Sequence, residues 1–466
     1  MVFSSILFLF RFLPIVLILY FISPKNCRNF VLFIVSLVFY GWDHPAYILL
    51  MLFSTVLDYS VGRAIEYSRK KGSNLGAKLS LLCSVVVNLG LLGFFKYSDF
   101  LINTVNGIFG TSIPNLDLIL PIGISFYTFQ TLSYSIDVYR GKVDAQHNII
   151  TFGAYVSMFP QLIAGPIVQY KTVAAELNSR KITADDFAYG IKRFMLGLSK
   201  KVLIANTVGE MFSQISATTT GLTTATAWLG VIAFTLQLYF DFSGYSDMAI
   251  GLGRMFGFKF LENFVYPFQS KSITELWQRW HISLGAFFRE YLYIPLGGNR
   301  KGKARQVLNM FIVWGLTGLW HGASWNFVLW GLFYFVLLLI EKFFLGKYLK
   351  KMPPIVANIY AVGLFVIGCA IFAYSDYADG AYYVSALIGK TAFADSNTLY
   401  YLANYAAVLI IAMVFSTDYP KRLYKKIIKT DVSDTAFQIL FTVVAFALCV
   451  AFLVSDSYNP FLYFRF

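Results

Sequence analysis

Long uncharged, apolar runs follow one another along nearly the whole chain, and this pattern limits its fold more than any other feature. A helix needs about 20 apolar residues to cross the hydrocarbon core of a bilayer. Hydropathy predicts about twelve such spans, several of them short. They lie at 3–22, 30–42, 46–62, 79–95, 118–138, 202–216, 226–252, 306–320, 326–341, 355–375, 398–416 and 436–455. Because lipid leaves no partner for unpaired backbone groups, we predict an all-α polytopic membrane protein, folded as a single domain over 1–466.

The polar residues are distributed as a membrane protein requires. Only 13% of the chain is charged and the mean hydropathy is +0.63, which is atypical of soluble domains. The net charge of +14 does not indicate nucleic acid, because the basic residues form short clusters between the apolar runs. These clusters lie at 63–78, 171–201, 300–305, 342–351 and 421–429. If the spans alternate in direction, all five basic clusters face the cytoplasm and both termini lie outside. We therefore predict a multi-pass protein of the bacterial cytoplasmic membrane, surrounded by lipid.

Two segments depart from the pattern of simple spans. Pro160, Gly165 and Pro166 interrupt the apolar segment 150–169, which predicts a broken or re-entrant helix. The region 270–298 mixes tryptophan and tyrosine with charged residues, is too polar to span, and is typical of an interfacial helix that starts after Thr274.

The most informative polar residue is His321, which lies in the otherwise uncharged segment WGLTGLWHGASWNFVLW. The preceding uncharged run rises only roughly 22 Å, so the imidazole is expected well inside the membrane. An ionisable group at that depth marks a functional site by default. Trp320 and Trp325 offer flat walls, and the neighbouring Asn326 offers a polar group. The alternative is a core histidine bonded to a carbonyl or an indole.

A second histidine, His281, lies on the predicted interfacial helix. A helix at this place could fold over the mouth of a cavity that contains His321. The simpler interpretation is an interfacial anchor among tryptophan and arginine side chains, with Arg289 and Glu290 forming an ion pair nearby.

The span 226–252 carries two carboxylates, Asp241 and Asp247. Six residues apart on a helix, they point about 120° away from each other, which does not fit a paired-carboxylate site. Asp241 and Tyr245 are one turn apart and could share a face. We favour structural ion pairs over catalysis, with arginines such as Arg254 or Arg279 as partners.

Two further stretches allow a functional interpretation beside a simpler one. The basic segment PLGGNRKGKAR at 295–305 is most simply a cytoplasmic turn, although it would also suit a phosphate-bearing donor such as coenzyme A. The aromatic tail at 456–466 is most simply an extracellular anchor, but Tyr463 offers a nucleophilic oxygen. The four cysteines show no metal-ligand spacing, and we expect no metal site and no permanently bound cofactor.

Several long blocks together carry a family resemblance. They are MVFSSILFLFRFLPIVLILYF, FPQLIAGPIVQY, FDFSGYSDMAIGLGRMFGFKFLENFVYPF, ITELWQRWHISLGAFFREYLYIPLGGNRKGK and LTGLWHGASWNFVLWG. Over nearly the whole chain, the sequence resembles the membrane-bound O-acyltransferase (MBOAT) family, in its alginate O-acetyltransferase-like branch. The resemblance implies a ring of tilted helices around a central funnel or tunnel. A funnel opens from each face of the membrane, and the two funnels meet near the buried histidine.

The resemblance also implies roles for single residues. His321 matches the catalytic histidine of the family, and His281 matches its second histidine. The tail PFLYFRF is similar to a motif whose tyrosine, here Tyr463, is proposed to carry the acyl group. Acetyl-CoA is then the expected donor, an extracytoplasmic SGNH-type protein the expected partner, and a cell-surface polysaccharide the expected acceptor.

Two other functions stay open at this point. The same fold could move D-alanine onto teichoic acid. A proton-coupled transporter would use His321, Asp241 and Asp247 as a proton path, although no inverted repeat is visible in the sequence.

Overall fold

The computed structural model describes residues 1–163, 165–218, 220–374, 377–455 and 458–462, and it leaves out the side chains of 377–379. Within them the chain is helical, and no strand is formed. The first helices are α1 Leu13–Ile22, α2 Arg28–Tyr40, α3 Tyr47–Lys70, α4 Asn74–Phe109, α5 Ile124–Arg140, α6 Ile149–Ser157, α7 Phe159–Leu162, α8 Tyr170–Asn178, α9 Ala184–Ser199 and α10 Asn206–Ser216. The later ones are α11 Thr224–Met255, α12 Ile273–Arg279, α13 Ile282–Phe288, α14 Lys303–His321, α15 Trp325–Ile340, α16 Gly346–Leu349, α17 Pro354–Ala373, α18 Tyr377–Leu387, α19 Ser396–Phe415, α20 Tyr419–Ile427 and α21 Asp431–Ser455.

The predicted membrane fold is confirmed, with fewer long spans than hydropathy indicated. In the part of the chain described, 7 helices are long and apolar enough to cross a bilayer. They are Tyr47–Lys70, Asn74–Phe109, Thr224–Met255, Trp325–Leu349, Pro354–Ala373, Ser396–Phe415 and Asp431–Ser455. The other predicted spans fall in shorter or more polar helices such as α2, α5 and α10. Almost every side chain of α5 is buried, so its apolar character reflects a protein core rather than contact with lipid.

The described chain groups into two compact units, and the single domain expected from the sequence stays a prediction. Unit 1 comprises 1–194, 248–261 and 289–291, and unit 2 comprises 195–247, 262–288 and 292–466. The arrangement of helices around a funnel stays a prediction.

Unit 1 is held together by a buried carboxylate, Asp58, that joins three helices. Asp58 on α3 is fully buried and accepts hydrogen bonds from Ser84, from Asn88 Nδ2 at 2.7 Å and from Ser135 Oγ at 2.8 Å. The first two donors belong to α4 and the third to α5. The carboxylate therefore satisfies donors that would otherwise be stranded in an apolar interior.

Replacing Asp58 by alanine is expected to destabilise the protein by about 1–3 kcal/mol for each buried donor that loses its acceptor. Thermal unfolding of the purified protein in detergent measures the effect. Ser60→Ala, at an exposed position of the same helix, is the matched control and should change stability little. Equal melting temperatures for the two variants would contradict a structural role of the carboxylate.

The segment 150–169 is broken, as predicted. Helix α6 ends at Ser157 and α7 begins at Phe159, whose backbone N–H donates to Ser36 Oγ at 3.1 Å. The side chain of Gln161 donates to the Tyr155 carbonyl at 2.8 Å. Polar side chains thus satisfy backbone groups freed by the break, as a buried irregular segment requires. Whether the segment re-enters a membrane stays a prediction.

The helix predicted in 270–298 differs from the sequence analysis in its start and its continuity. Ser272, not Thr274, caps α12, because its side chain accepts the backbone N–H of Glu275 at 3.0 Å. Helices α12 and α13 are separate, and His281 lies in the break with a left-handed backbone (φ 46°) that a right-handed helix cannot continue.

The expected Arg289–Glu290 ion pair is replaced by a different one within unit 1. Glu290 forms ion pairs with Lys142 and with Lys171 Nζ, the latter at 2.6 Å, while Arg289 is exposed. Burial opposes ionisation of Glu290, but the two ammonium groups prevail and hold the pKa of its carboxyl below the ordinary value. The carboxylate therefore ties 289–291 to the rest of its unit.

Candidate functional site

The position of His321 is fixed by a close contact between two helices of unit 2. His321 is the last residue of α14, and α15 begins four residues later at Trp325. A Cβ on Gly318 would lie 2.3 Å from the Phe327 carbonyl oxygen, and one on Gly331 would lie 2.4 Å from the Trp314 carbonyl oxygen. Both neighbours are backbone atoms that cannot move aside, so glycine is required for the two helices to approach this closely.

Aromatic rings surround the His321 imidazole, which is itself half-buried. Ring centroids lie 5.2 Å away for Trp320, 5.0 Å for Trp330 and 5.3 Å for Phe372, all in edge-to-face arrangements. Trp325, expected to form a wall, is 45% exposed and does not line the pocket described below. Trp330 lies in that wall instead, and its ring centroid is 6.3 Å from that of Trp314 on α14.

His321 opens into a pocket with about 550 Å³ of atom-free space, including its open side. The lining residues all belong to unit 2 and are Leu238, Asp241, Phe242, Trp277, Trp280, His321, Trp330, Phe365, Cys369, Phe372, Phe461 and Leu462. Most of them are apolar, with one imidazole, one carboxylate and one thiol among them. A mostly apolar lining of this kind limits water around a small reacting group, and the imidazole can act on that group as a base.

His281 lies close to this centre, although it does not line the pocket. Its ring centroid is 5.8 Å from that of Trp320 and 4.7 Å from that of Phe242. Asn263 Oδ1 lies 3.3 Å from its Nδ1 and also accepts the Ser283 hydroxyl at 2.9 Å, which fixes the break between α12 and α13. A histidine in left-handed conformation, nearly fully buried, is strained backbone of the kind that accumulates at functional sites.

Burial, and secondly the nearby His321 imidazole, hold the pKa of His281 well below its ordinary value of 6.5. The folded protein therefore keeps His281 neutral at pH values where the unfolded chain binds a proton. We expect stability to fall as the pH drops below about 6.5, by up to about 1.4 kcal/mol per pH unit. Melting temperatures between pH 7.5 and 5.5 measure this slope. His281→Asn should flatten the slope and His44→Ala, at an exposed position, should not; equal slopes in both variants would contradict a buried neutral imidazole.

The two carboxylates of α11 pair with lysines rather than arginines, which corrects the sequence analysis. Asp241 Oδ1 lies 2.8 Å from Lys201 Nζ, and Asp247 Oδ2 lies 2.7 Å from Lys200 Nζ. The arginines suggested as partners bind elsewhere: Arg254 pairs with Asp186 and Arg279 with Glu275. Lys201, assigned from the sequence to a cytoplasmic loop, is 3% exposed and lies in a π-helical turn at Lys200–Ala205.

Of the remaining predicted site residues, the two that the structure describes contact residues of the pocket without lining it themselves. Tyr245 is buried and its ring lies 4.7 Å from that of Phe461, which lines the pocket. Asn326 donates to the Phe372 carbonyl at 3.1 Å and so holds one of the rings beside His321. Tyr463 lies outside the described residues.

Sequence reasoning missed Lys201 and Trp330 as parts of this region. Lys201 carries no local signal, because adjacent lysines before an apolar run are also what a cytoplasmic loop shows. Trp330 could have been found from its spacing along α15, where one face must turn towards the histidine-bearing helix.

Comparison with known proteins shows what the chain as a whole is similar to. A family model described as membrane-bound O-acyltransferase matches residues 47–375. A probable alginate O-acetylase, AlgI, of Pseudomonas aeruginosa is 49% identical over 346 residues, which cover 73% of this chain and 66% of that protein. The corresponding protein of Pseudomonas putida is 39% identical over 489 residues, with 100% of both chains covered. A peptidoglycan O-acetyltransferase of Helicobacter pylori is 35% identical over 392 residues, covering 77% of this chain and 74% of that protein.

Proposed function

Because this chain belongs to the membrane-bound O-acyltransferase family, we propose that it acetylates hydroxyl groups of a polysaccharide at the outer face of the bacterial cytoplasmic membrane. It is a multi-pass membrane protein and an acyltransferase. The relatives reported above are named for O-acetylation of alginate or of peptidoglycan, which supports a polysaccharide acceptor here.

The observation that carries the proposal is the His321 imidazole in an apolar, ring-lined pocket. In the proposed reaction, acetyl-CoA reaches His321 from the cytoplasm. Neutral His321 removes the proton from an acceptor hydroxyl as the oxygen attacks the thioester carbonyl, the carbon–sulfur bond breaks, and the proton passes to the leaving thiolate. The products are an acetyl ester and free coenzyme A. A histidine suits this role because its ordinary pKa lies near physiological pH.

The first acceptor in this scheme is the hydroxyl of Tyr463. Phe461 and Leu462, the two residues before it in the chain, line the pocket of His321, which supports this choice of acceptor. An extracytoplasmic SGNH-type partner would then move the acetyl group from the tyrosine to the polymer. His281, close to His321 and held neutral, would assist the same reaction.

Incubating the purified protein with acetyl-CoA tests the donor and the carrier together. We expect release of free thiol and a protein mass increase of one acetyl group, located by peptide mass spectrometry at Tyr463. Tyr463→Phe should abolish the acetylated species. Persistence of acetyl-protein in that variant would refute the carrier role, and absence of any acetyl-CoA consumption by the wild-type protein would favour the transporter alternative.

The acceptor polymer is tested in a deletion strain. Loss of ester-linked acetate from surface polysaccharide, restored by the gene, supports O-acetylation. Loss of ester-linked D-alanine, with acetate unchanged, would instead support the D-alanyl transfer that the same fold allows.

A further inference from the structure

The ion pair of Lys201 and Asp241 is buried in a way that demands further partners. Each side chain is 3% exposed, and their N···O distance is 2.8 Å. Taking both charges out of water is unfavourable unless the remaining protons and lone pairs are also hydrogen-bonded. The groups that form these remaining hydrogen bonds therefore indicate the role of the ion pair.

The backbone of the C-terminal segment 458–462 supplies those partners. Asp241 Oδ2 accepts the backbone N–H of Leu462 at 2.9 Å, and Lys201 Nζ donates to the Pro460 carbonyl. The ammonium thus binds a backbone acceptor, and the carboxylate binds a backbone donor two residues further on. These contacts depend on the backbone and not on the side chains of the segment.

Two more hydrogen bonds fix the beginning of the same segment. Tyr458 Oη donates to the Gly209 carbonyl at 2.9 Å, and Asn206 Nδ2 donates to Asn459 Oδ1 at 3.2 Å. Both partners lie on α10, directly after the π-helical turn that carries Lys201. The segment is therefore held at both of its ends.

This docking places the end of the segment in the pocket of His321. Phe461 and Leu462 are 6% and 4% exposed, and both line the pocket. The Phe461 ring lies 4.7 Å from the ring of Tyr245, one turn along α11 from Asp241. One wall of the pocket is thus made by a segment that the ion pair holds through its backbone.

We propose that Lys201 and Asp241 are positioning residues that latch the backbone of 460–462 and so hold this segment in the pocket of His321. This latch rests on the proposed function, in which the Tyr463 hydroxyl accepts the acetyl group. The two side chains act through the segment and need not touch the reacting atoms.

The polarity of the latch separates it from an ordinary structural ion pair. Exchanging the charges, Lys201→Asp with Asp241→Lys, preserves an ion pair in the interior. It also sets an ammonium against the Leu462 N–H and a carboxylate against the Pro460 carbonyl, so that donor faces donor and acceptor faces acceptor. A merely structural pair is restored by the exchange, whereas the latch is not.

The position of the segment is measured with a cysteine introduced as Leu462→Cys in a chain whose four natural cysteines are replaced by alanine. Its rate of labelling by a soluble maleimide in detergent reports how often the segment leaves the pocket. We expect slow labelling in this parent. Labelling should be at least about tenfold faster with Asp241→Asn, with Lys201→Met and with the exchanged pair, because the segment leaves the pocket more often in these variants. The matched control exchanges the neighbouring pair, Lys200→Asp with Asp247→Lys, and should leave the cysteine protected.

A further variant keeps the ion pair intact and covers the case in which charge variants do not fold. Leu462→Pro removes the backbone donor that Asp241 accepts and leaves both charges in place. With the reporter moved to Phe461→Cys, we expect this variant to label at least about tenfold faster than its own parent. Unchanged labelling in this variant would overturn the latch.

Acetyl transfer is measured on the same proteins after their melting temperatures are compared. We expect the exchanged pair to fold like the parent but to lose acetylation of Tyr463. Protection of the cysteine and full acetylation in the exchanged pair would overturn the proposal. Because labelling does not depend on activity, an inactive parent that shows the expected labelling pattern would refute the proposed function and leave the latch standing.

Discussion

Replacing His321 by alanine is expected to reduce acetate on the surface polymer by about 10²–10⁴-fold, the usual contribution of a positioned general base. Of the described residues lining the pocket, His321 alone carries an imidazole. Asp241 cannot substitute as base, because Lys201 and the Leu462 N–H already occupy its carboxylate. Ester-linked acetate in a deletion strain complemented with each variant gives the measurement.

The control for this experiment is His147→Ala. The His147 side chain is 60% exposed and lies beside Glu66 in unit 1, whereas the residues that line the pocket belong to unit 2. Acetylation should stay near the wild-type level in this variant. Wild-type acetylation in His321→Ala, at equal protein abundance in the membrane, would contradict a catalytic role of His321.

Replacing Gly318 by alanine is expected to separate α14 from α15, and so to lower both the free energy of unfolding and the rate of acetylation. The added methyl group would lie 2.3 Å from a backbone oxygen, so that it cannot be accommodated by a change of rotamer. Overpacking of this kind costs about 1–3 kcal/mol or more. A shift of about 1 Å at His321 would by itself lower the rate roughly a hundredfold. Melting temperature and acetylation, measured on the same preparation, give both effects.

Gly315 provides a matched control on the same helix, one turn earlier. A Cβ at this position meets no atom of the described chain within 4 Å. Gly315→Ala should therefore leave activity unchanged and raise helix stability by up to about 1 kcal/mol. If the two alanine variants behave alike, the close helix contact does not hold the histidine in place.

The sequence was sufficient for features that depend on local pattern. Long apolar runs predict α3, α4 and α21 because crossing lipid demands both length and apolar character in one continuous segment. The break in 150–169 followed from its prolines. The sequence also singles out His321 as the ionisable group of a long uncharged stretch, and the structure shows it lining a mostly apolar pocket, while its catalytic role stays a prediction.

Features that depend on distant parts of the chain could not be predicted in this way. Nothing near Asp241 indicates that its partners are a lysine forty residues earlier and a backbone amide near the C-terminus. The break at His281 depends on Asn263, whose side chain holds Ser283 and thereby ends one helix and begins the next. Hydropathy also counted α5 as a lipid-facing span, because a buried apolar surface has the same composition as one covered by lipid.

The rings packed edge-on around His321 have an entropic consequence. Trp320, Trp330 and Phe372 leave the imidazole few orientations, so most of its rotational freedom is already lost when the chain folds. Substrate binding in the pocket then costs little further conformational entropy of the imidazole. The free energy of donor binding can instead be used to bring the thioester carbonyl against the attacking oxygen.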